Sequence, residues 1–257
     1  MNGAFYVGST GLQAQQRSLE VIANNVANVN TTAFKRSEIR FSEMLMRSGV
    51  EEESVRSFAV PPEALVGVRV HEAVRVMQQG ELRQTSKPFD LAIDGDGFLE
   101  VLGPSGETWL WRGGAFKVSG DGFLVTQSGL TLKALIEVPD SLTELRIERD
   151  GRVYGIDSGS GKPIELGQLS LVKPKDETSS VAMGDGFYSV AMSSDLRSLE
   201  PGAEGAGVLV QGSLEASNVE LTSEMVGLLL AQRAYAANAQ AVQAGDQLMA
   251  IANGLRR

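Results

Sequence analysis

The stretch Asp94-Gly95-Asp96-Gly97 has the residue types of a loop that wraps calcium in carboxylate and carbonyl oxygens. Counted from Asp94, however, Leu99 stands at the sixth position, where such a loop needs glycine, and Ser105 at the twelfth, where it needs a bidentate glutamate. The stretch is therefore expected to be a turn. Gly159-Ser160-Gly161-Lys162 ends like a phosphate-cradling loop, yet Ile156 occupies the place of the first glycine and Pro163 that of the serine or threonine. A hairpin turn is expected there too. His71 is the sole histidine and there is no cysteine, so a triad or a zinc site would have to be built around that one residue. Its alternating surroundings suit an ordinary strand position. A two-carboxylate hydrolase converges only in space, and Glu100 or Asp121, each with an unnamed partner, are the side chains on which one would be built. No catalytic residue, cofactor or metal ligand is assigned.

Amides offer a different chemistry. Asn24, Asn25, Asn28 and Asn30 sit among valines and alanines. A buried unpaired charge is strongly destabilising, whereas an amide donates and accepts and can satisfy a matching amide on another chain. Uncharged polarity marks both ends of the sequence. From residue 2 to 34 only Arg17 and Glu20 are charged, and from Met225 to Leu255 only Arg233 and Asp246.

Helices must position these residues. Phe5, Leu12, Leu19 and Val26 recur every seven residues with Gly8, Gln15 and Ile22 between them; Leu221, Leu228, Tyr235, Val242 and Met249 do likewise, with Met225, Gln232, Ala239, Asp246 and Asn253 between. Such spacing drives one helix to coil around another. The C-terminal segment has a second apolar patch at Val226, Leu229, Leu230, Ala236 and Ala237, so it needs more than one neighbour. Roughly 1.5–3 kcal/mol per buried apolar side chain, set against about 1–2 kcal/mol per ordered residue, leaves a lone helix short; packed among neighbours it is stable. The first helix is expected to end near the asparagines, and the last to begin near Ser217 or Thr222, with Glu220 or Glu224 at its positive end. The expected assembly interface comprises Phe5, Leu12, Leu19, Ile22, Asn24, Asn25, Val26, Asn28, Leu221, Met225, Leu228, Gln232, Tyr235, Val242 and Met249.

The middle of the chain reads as antiparallel β-structure. Strands are expected within 66–76 and at 91–93, 98–102, 108–112, 115–118, 123–126, 145–148, 152–155 and 168–172, separated by the turn stretches GPSG, SGDG, RDG and SGSG. Residues 49–66, with Glu51-Glu52-Glu53 and Pro61-Pro62, read as a solvated connection. The fold class is thus α+β: long N- and C-terminal helices in a coiled-coil-like layer, with an inserted antiparallel β-rich domain. A net charge of −9 argues against nucleic acid and anionic membrane surfaces as partners. No stretch approaches the length of a membrane span, and the start lacks the pattern of a cleaved signal peptide, so export by another route is expected.

Three blocks carry a resemblance: GSTGLQAQQRSLEVIANNVANVNTTAFKR, then PFDLAIDGDGFLEV with WRGGAFKVSGDGFLVT, and finally GSLEASNVELTSEMVGLLLAQRAYAANAQAV. In this order they resemble the bacterial flagellar rod and hook axial family, and its distal-rod members most. The resemblance implies a structural subunit, without enzymatic activity, cofactor or small-molecule substrate. It would be exported by the flagellar type III apparatus and polymerised with itself into a helical drive shaft of the basal body. Implied neighbours are proximal rod proteins, the hook protein and the surrounding ring bushing. The implied division is an inner axial domain from 1–34 and 214–257, a connecting region with a rod-type extension at 35–70, and an outer β-rich domain at 71–213. The single modest β domain and the acidic segment at 41–66 favour the distal rod. Proximal rod or hook-type proteins, a β-rich cell-wall hydrolase and a trimeric surface adhesin are the alternative readings.

Overall fold

The computed structural model describes residues 2–45, 65–70, 73–139, 142–159, 162–175, 180–190 and 196–254. The expectations for Glu51-Glu52-Glu53, Pro61-Pro62, His71 and the centre of the turn at 159–162 fall outside the described residues, as do those for the side chains of Phe5 and Met249. The fold is α+β. The chain divides into a helical unit, made of residues 1–27, 37–75 and 220–257, and a β unit, made of 28–36 and 76–219.

In the helical unit, α1 (Asn2–Ala27) and α2 (Leu221–Gly254) pack against each other. A Cβ placed on Gly8 would stand 2.6 Å from Val242 Cγ2, one on Gly11 2.9 Å from Asn238 Nδ2, and one on Gly227 3.5 Å from Ile22 Cδ1. Partner numbers fall along α2 as they rise along α1, so the helices are antiparallel, and the glycines let them approach closely. Glu224 in the first turn of α2 favours the positive helix end, and the Glu220 carboxylate just before it accepts the Ser223 hydroxyl. An antiparallel ribbon completes the unit. Strand β1 (Ser37–Glu38) pairs with β4 (Val74–Arg75), and β2 (Phe41–Leu45) with β3 (Leu65–Val70), which lies against α1. The strand expected within 66–76 is thus β3 and β4.

The β unit holds the main core. One antiparallel sheet runs in the order β10 (Leu124–Thr126), β9 (Gly113–Val118), β6 (Asp90–Asp94), β18 (Val208–Gln211); a second runs β15 (Val181–Gly184), β16 (Phe187–Ser189), β8 (Thr108–Trp111), β7 (Leu99–Leu102). A third comprises β11 (Leu142–Ile147), β12 (Arg152–Asp157) and β13 (Pro163–Gln168). Two pairs remain: β14 (Leu171–Pro174) with β17 (Leu196–Leu199), and β19 (Ser213–Glu215) with β5 (Leu82–Gln84). The run Leu91-Ala92-Ile93 is buried on both faces of β6, as a short continuous apolar segment between turn residues should be. It meets Leu99, Val101, Leu124, Val153 and Leu171 in the core, where the Trp111 ring packs edge-on to Phe116 at 5.0 Å and stacks on Phe187 at 6.0 Å. Gly113 fits because φ is +107° and a Cβ would press 2.7 Å from the Leu91 carbonyl oxygen.

A second expected strand is also two. The run 168–172 splits at Leu169 and Ser170, because Gln168 ends the pairing of β13 with β12 and Leu171 begins that of β14 with β17. An unbroken apolar run does not reveal a change of sheet.

Candidate functional site

Two groupings stand out: the exposed side of α2 and a buried ionic cluster in the β unit. Among the residues expected at an assembly interface, Leu12, Leu19, Ile22, Val26 and Asn28 on or just after α1 are half-buried, and Asn24 is exposed. Asn25 is 1% exposed: its amide nitrogen donates to the Ser37 carbonyl at 3.0 Å and to Glu224 Oε1 at 3.2 Å, and its oxygen accepts the Ser37 amide at 3.0 Å. This amide therefore satisfies its own chain. On α2, Leu228 and Val242 are half-buried, while Leu221, Met225, Gln232 and Tyr235 are exposed. Val226, Leu229 and Leu230 are exposed as well, on the side of α2 away from Gly227, Ala231, Asn238 and Val242, which face α1.

Sequence reasoning missed the second grouping. Lys35, Arg112 and Glu215 are 2%, 3% and 2% exposed, and one carboxylate serves both cations. Lys35 Nζ donates to Glu215 Oε1 at 2.5 Å and to the Gln78 carbonyl at 2.8 Å; Arg112 Nε donates to Glu215 Oε2 at 2.8 Å; the Gly80 amide adds a bond to Oε1 at 2.8 Å. The other guanidinium nitrogens donate to the carbonyls of Gly95 and Gly97, and Phe98 lies 5.7 Å beneath the guanidinium carbon. The Asp94–Gly97 loop thus offers its carbonyls to a cation, and the cation is Arg112. Gly95 takes φ +108° there, and a Cβ would meet the Gly207 backbone at 2.8 Å. Burial pushes the Lys35 ammonium below its usual pKa of 10.5, against the attraction of Glu215. At the exposed rim, the hydrogen bond from Lys173, 2.7 Å away, holds the Asp96 carboxyl below its ordinary range.

None of this resembles a catalytic centre. Glu100 is bound to Lys133 at 2.7 Å, and Asp121 is exposed in the turn where the Gly122 amide returns to the Ser119 carbonyl. A cavity of about 300 Å³ beside Thr31, Thr126 and Trp111 has Asp185 as its one carboxylate and no histidine, lysine or arginine in its lining. No helix among the described residues is long and apolar enough to cross a membrane.

Three family models match in chain order: the flagella basal body rod protein over residues 5–35, the flagellar hook protein FlgE/F/G D1 domain over 92–155, and the flagellar basal body rod FlgEFG protein C-terminal over 210–255. The flagellar basal-body rod protein FlgG of Caulobacter vibrioides is 35% identical over 98% of this chain and 99% of its own length. The FlgG of Borreliella burgdorferi is 34% identical over 100% of both. The chain belongs to the flagellar basal-body rod protein family. It is a structural component of the flagellum rather than an enzyme. The rod protein FlgF of C. vibrioides is also similar, at 30% identity over 91% of this chain and 90% of its own length. In this rod protein each matched stretch contributes one member of the buried cluster: Lys35 from the first, Arg112 from the second, Glu215 from the third. A charge set directly against apolar or small residues, in AFK, WLWRGG and GSLEAS, is the signal that could have found it.

Proposed function

We propose that the chain is a distal-rod subunit that polymerises with copies of itself into the helical drive shaft carrying torque from motor to hook. The observation that carries this reading is the uncovered apolar side of α2. Leu221, Met225, Val226, Leu229 and Leu230 are each about half exposed, and covering them would contribute on the order of 4–8 kcal/mol per helix. Association itself costs about 4–15 kcal/mol in lost freedom. One contact with one neighbour is therefore marginal, and several neighbours are needed. A contact repeated without closure along an axis gives a filament.

In this reading α1 and α2 form a coiled inner layer with their counterparts in other copies, and Leu221, Met225, Gln232 and Tyr235 join the contacts together with Val226, Leu229 and Leu230. Asn25 and Val242 serve the pairing of the chain's own two helices, and Leu228 stays with the assembly contacts. The connecting region at 35–70 carries the rod-type extension, and residues 71–213 form the outer β-rich domain. The chain reaches the basal body through the flagellar type III apparatus, with proximal rod proteins below, hook protein above and ring proteins around it. The family relationship at 35% identity over 98% of the chain supports the rod assignment. The test is assembly of Leu229→Asp/Leu230→Asp. Monomer stability is expected to be unchanged while filaments fail to form; filaments of normal yield would refute the reading.

A further inference from the structure

The chain passes between its two units at 27/28, 36/37, 75/76 and 219/220. Inside the β unit, the segments that lead to all four crossings are tied to one another. The Val76 amide donates to the Arg36 carbonyl at 3.0 Å, the Asn218 amide to the Phe34 carbonyl at 3.3 Å, and the Ala33 amide to the Glu215 carbonyl at 2.9 Å. The Asn218 side chain accepts the Arg36 amide at 2.7 Å and donates to the carbonyls of Val76 and Gln78 at 2.8 and 2.9 Å. The centre of this stitching is the Glu215 carboxylate between Lys35 and Arg112.

We infer that Glu215 is the closing latch of the β unit: until the segment 213–219 docks, Lys35 and Arg112 are two cations in the domain interior without their shared anion, so the unit completes only when the chain up to its last helix is in place. The partners lie far apart in sequence. Glu215 is 180 residues from Lys35 and 103 from Arg112, so no local element forms the cluster before the two ends meet. Arg112 keeps the carbonyls of Gly95 and Gly97 without the latch, and Lys35 keeps that of Gln78, but carbonyls do not cancel two buried charges. Removing one partner of a buried ion pair leaves an uncompensated charge, which is far worse than removing both.

This concerns a single chain in dilute solution and holds whether or not copies assemble. The experiment is hydrogen exchange on the full-length protein, read at the amides of Ala33, Arg36 and Gly80. Glu215→Gln keeps the shape and an acceptor oxygen but removes the charge, and exchange at these amides is expected to speed up roughly a hundred- to a thousand-fold. Adding Lys35→Met to Glu215→Gln removes one of the stranded cations and is expected to slow exchange again, about tenfold relative to Glu215→Gln alone. Unchanged exchange in Glu215→Gln overturns the latch. So does a double variant that exchanges as fast as the single one, since the effect would then come from shape rather than charge.

Discussion

In the β unit Leu91, Ile93 and Leu171 are wholly covered by the chain's own side chains, whereas on α2 Leu229 and Leu230 remain 58% and 61% exposed. Both regions are rich in apolar residues, so composition does not separate them. Geometry does: the strands of the β unit gather their apolar side chains into one buried cluster that includes Trp111, while a pair of helices has outer sides that nothing in the pair can reach. The two regions also match their buried carboxylates differently. In the β unit Glu215 is met by two buried cations, Lys35 and Arg112, whereas at the helix contact the buried carboxylate of Glu224 is met by the amide of Asn25.

The contrast can be broken most severely in the β unit. Trp111→Ala empties a site walled by Phe116 and Phe187 and is expected to lower stability by about 3–5 kcal/mol in urea unfolding of the monomer. A loss below 1 kcal/mol would mean that this core is not as closed as described. Next comes the contact between the helices. Gly8→Val puts atoms where Val242 already stands, and a cost of about 1–3 kcal/mol is expected, visible as faster amide exchange along α1 with exchange in the β unit untouched. Equal acceleration in both units would contradict their separation.

A smaller effect is a slope with pH. The folded pKa of Lys35 lies below 10.5 because of burial. Between that lowered value and 10.5 the folded chain has released a proton that the unfolded chain still binds, so stability rises with pH across this interval and is independent of this group below it. Urea unfolding at successive pH values should show the rise in the wild type and lose it in Lys35→Met; identical slopes would dismiss the assignment. The smallest effect belongs to the exposed side of α2. Leu230→Ala should change monomer stability by no more than about 0.5 kcal/mol, and a loss of 2 kcal/mol would show that the residue is packed after all.

The terminal helices were legible because a seven-residue recurrence extends over many turns and averages out local exceptions. What the spacing did not reveal was the partner: Val242 lies on the recurrent stripe and meets Gly8 of its own chain, while the second patch, at Val226, Leu229 and Leu230, faces outward. Long strands such as β6 and β12 were legible from apolar runs and turn residues. Short strands were legible where they are mostly apolar, as in β7, β8 and β10, and were missed where one large apolar residue stands among polar ones, as in β5 and β19. The cluster of Lys35, Arg112 and Glu215 escaped notice because its members are joined by no local pattern.

The most direct measurement uses the absence of cysteine from the natural sequence. A chain carrying Leu229→Cys has one thiol, on the outward side of α2, and its rate of alkylation by a maleimide can be compared between dilute monomer and extracted rods. The account predicts rapid labelling of the monomer and strong protection in the rod. A thiol already protected in the monomer, or equally reactive in both states, would contradict it.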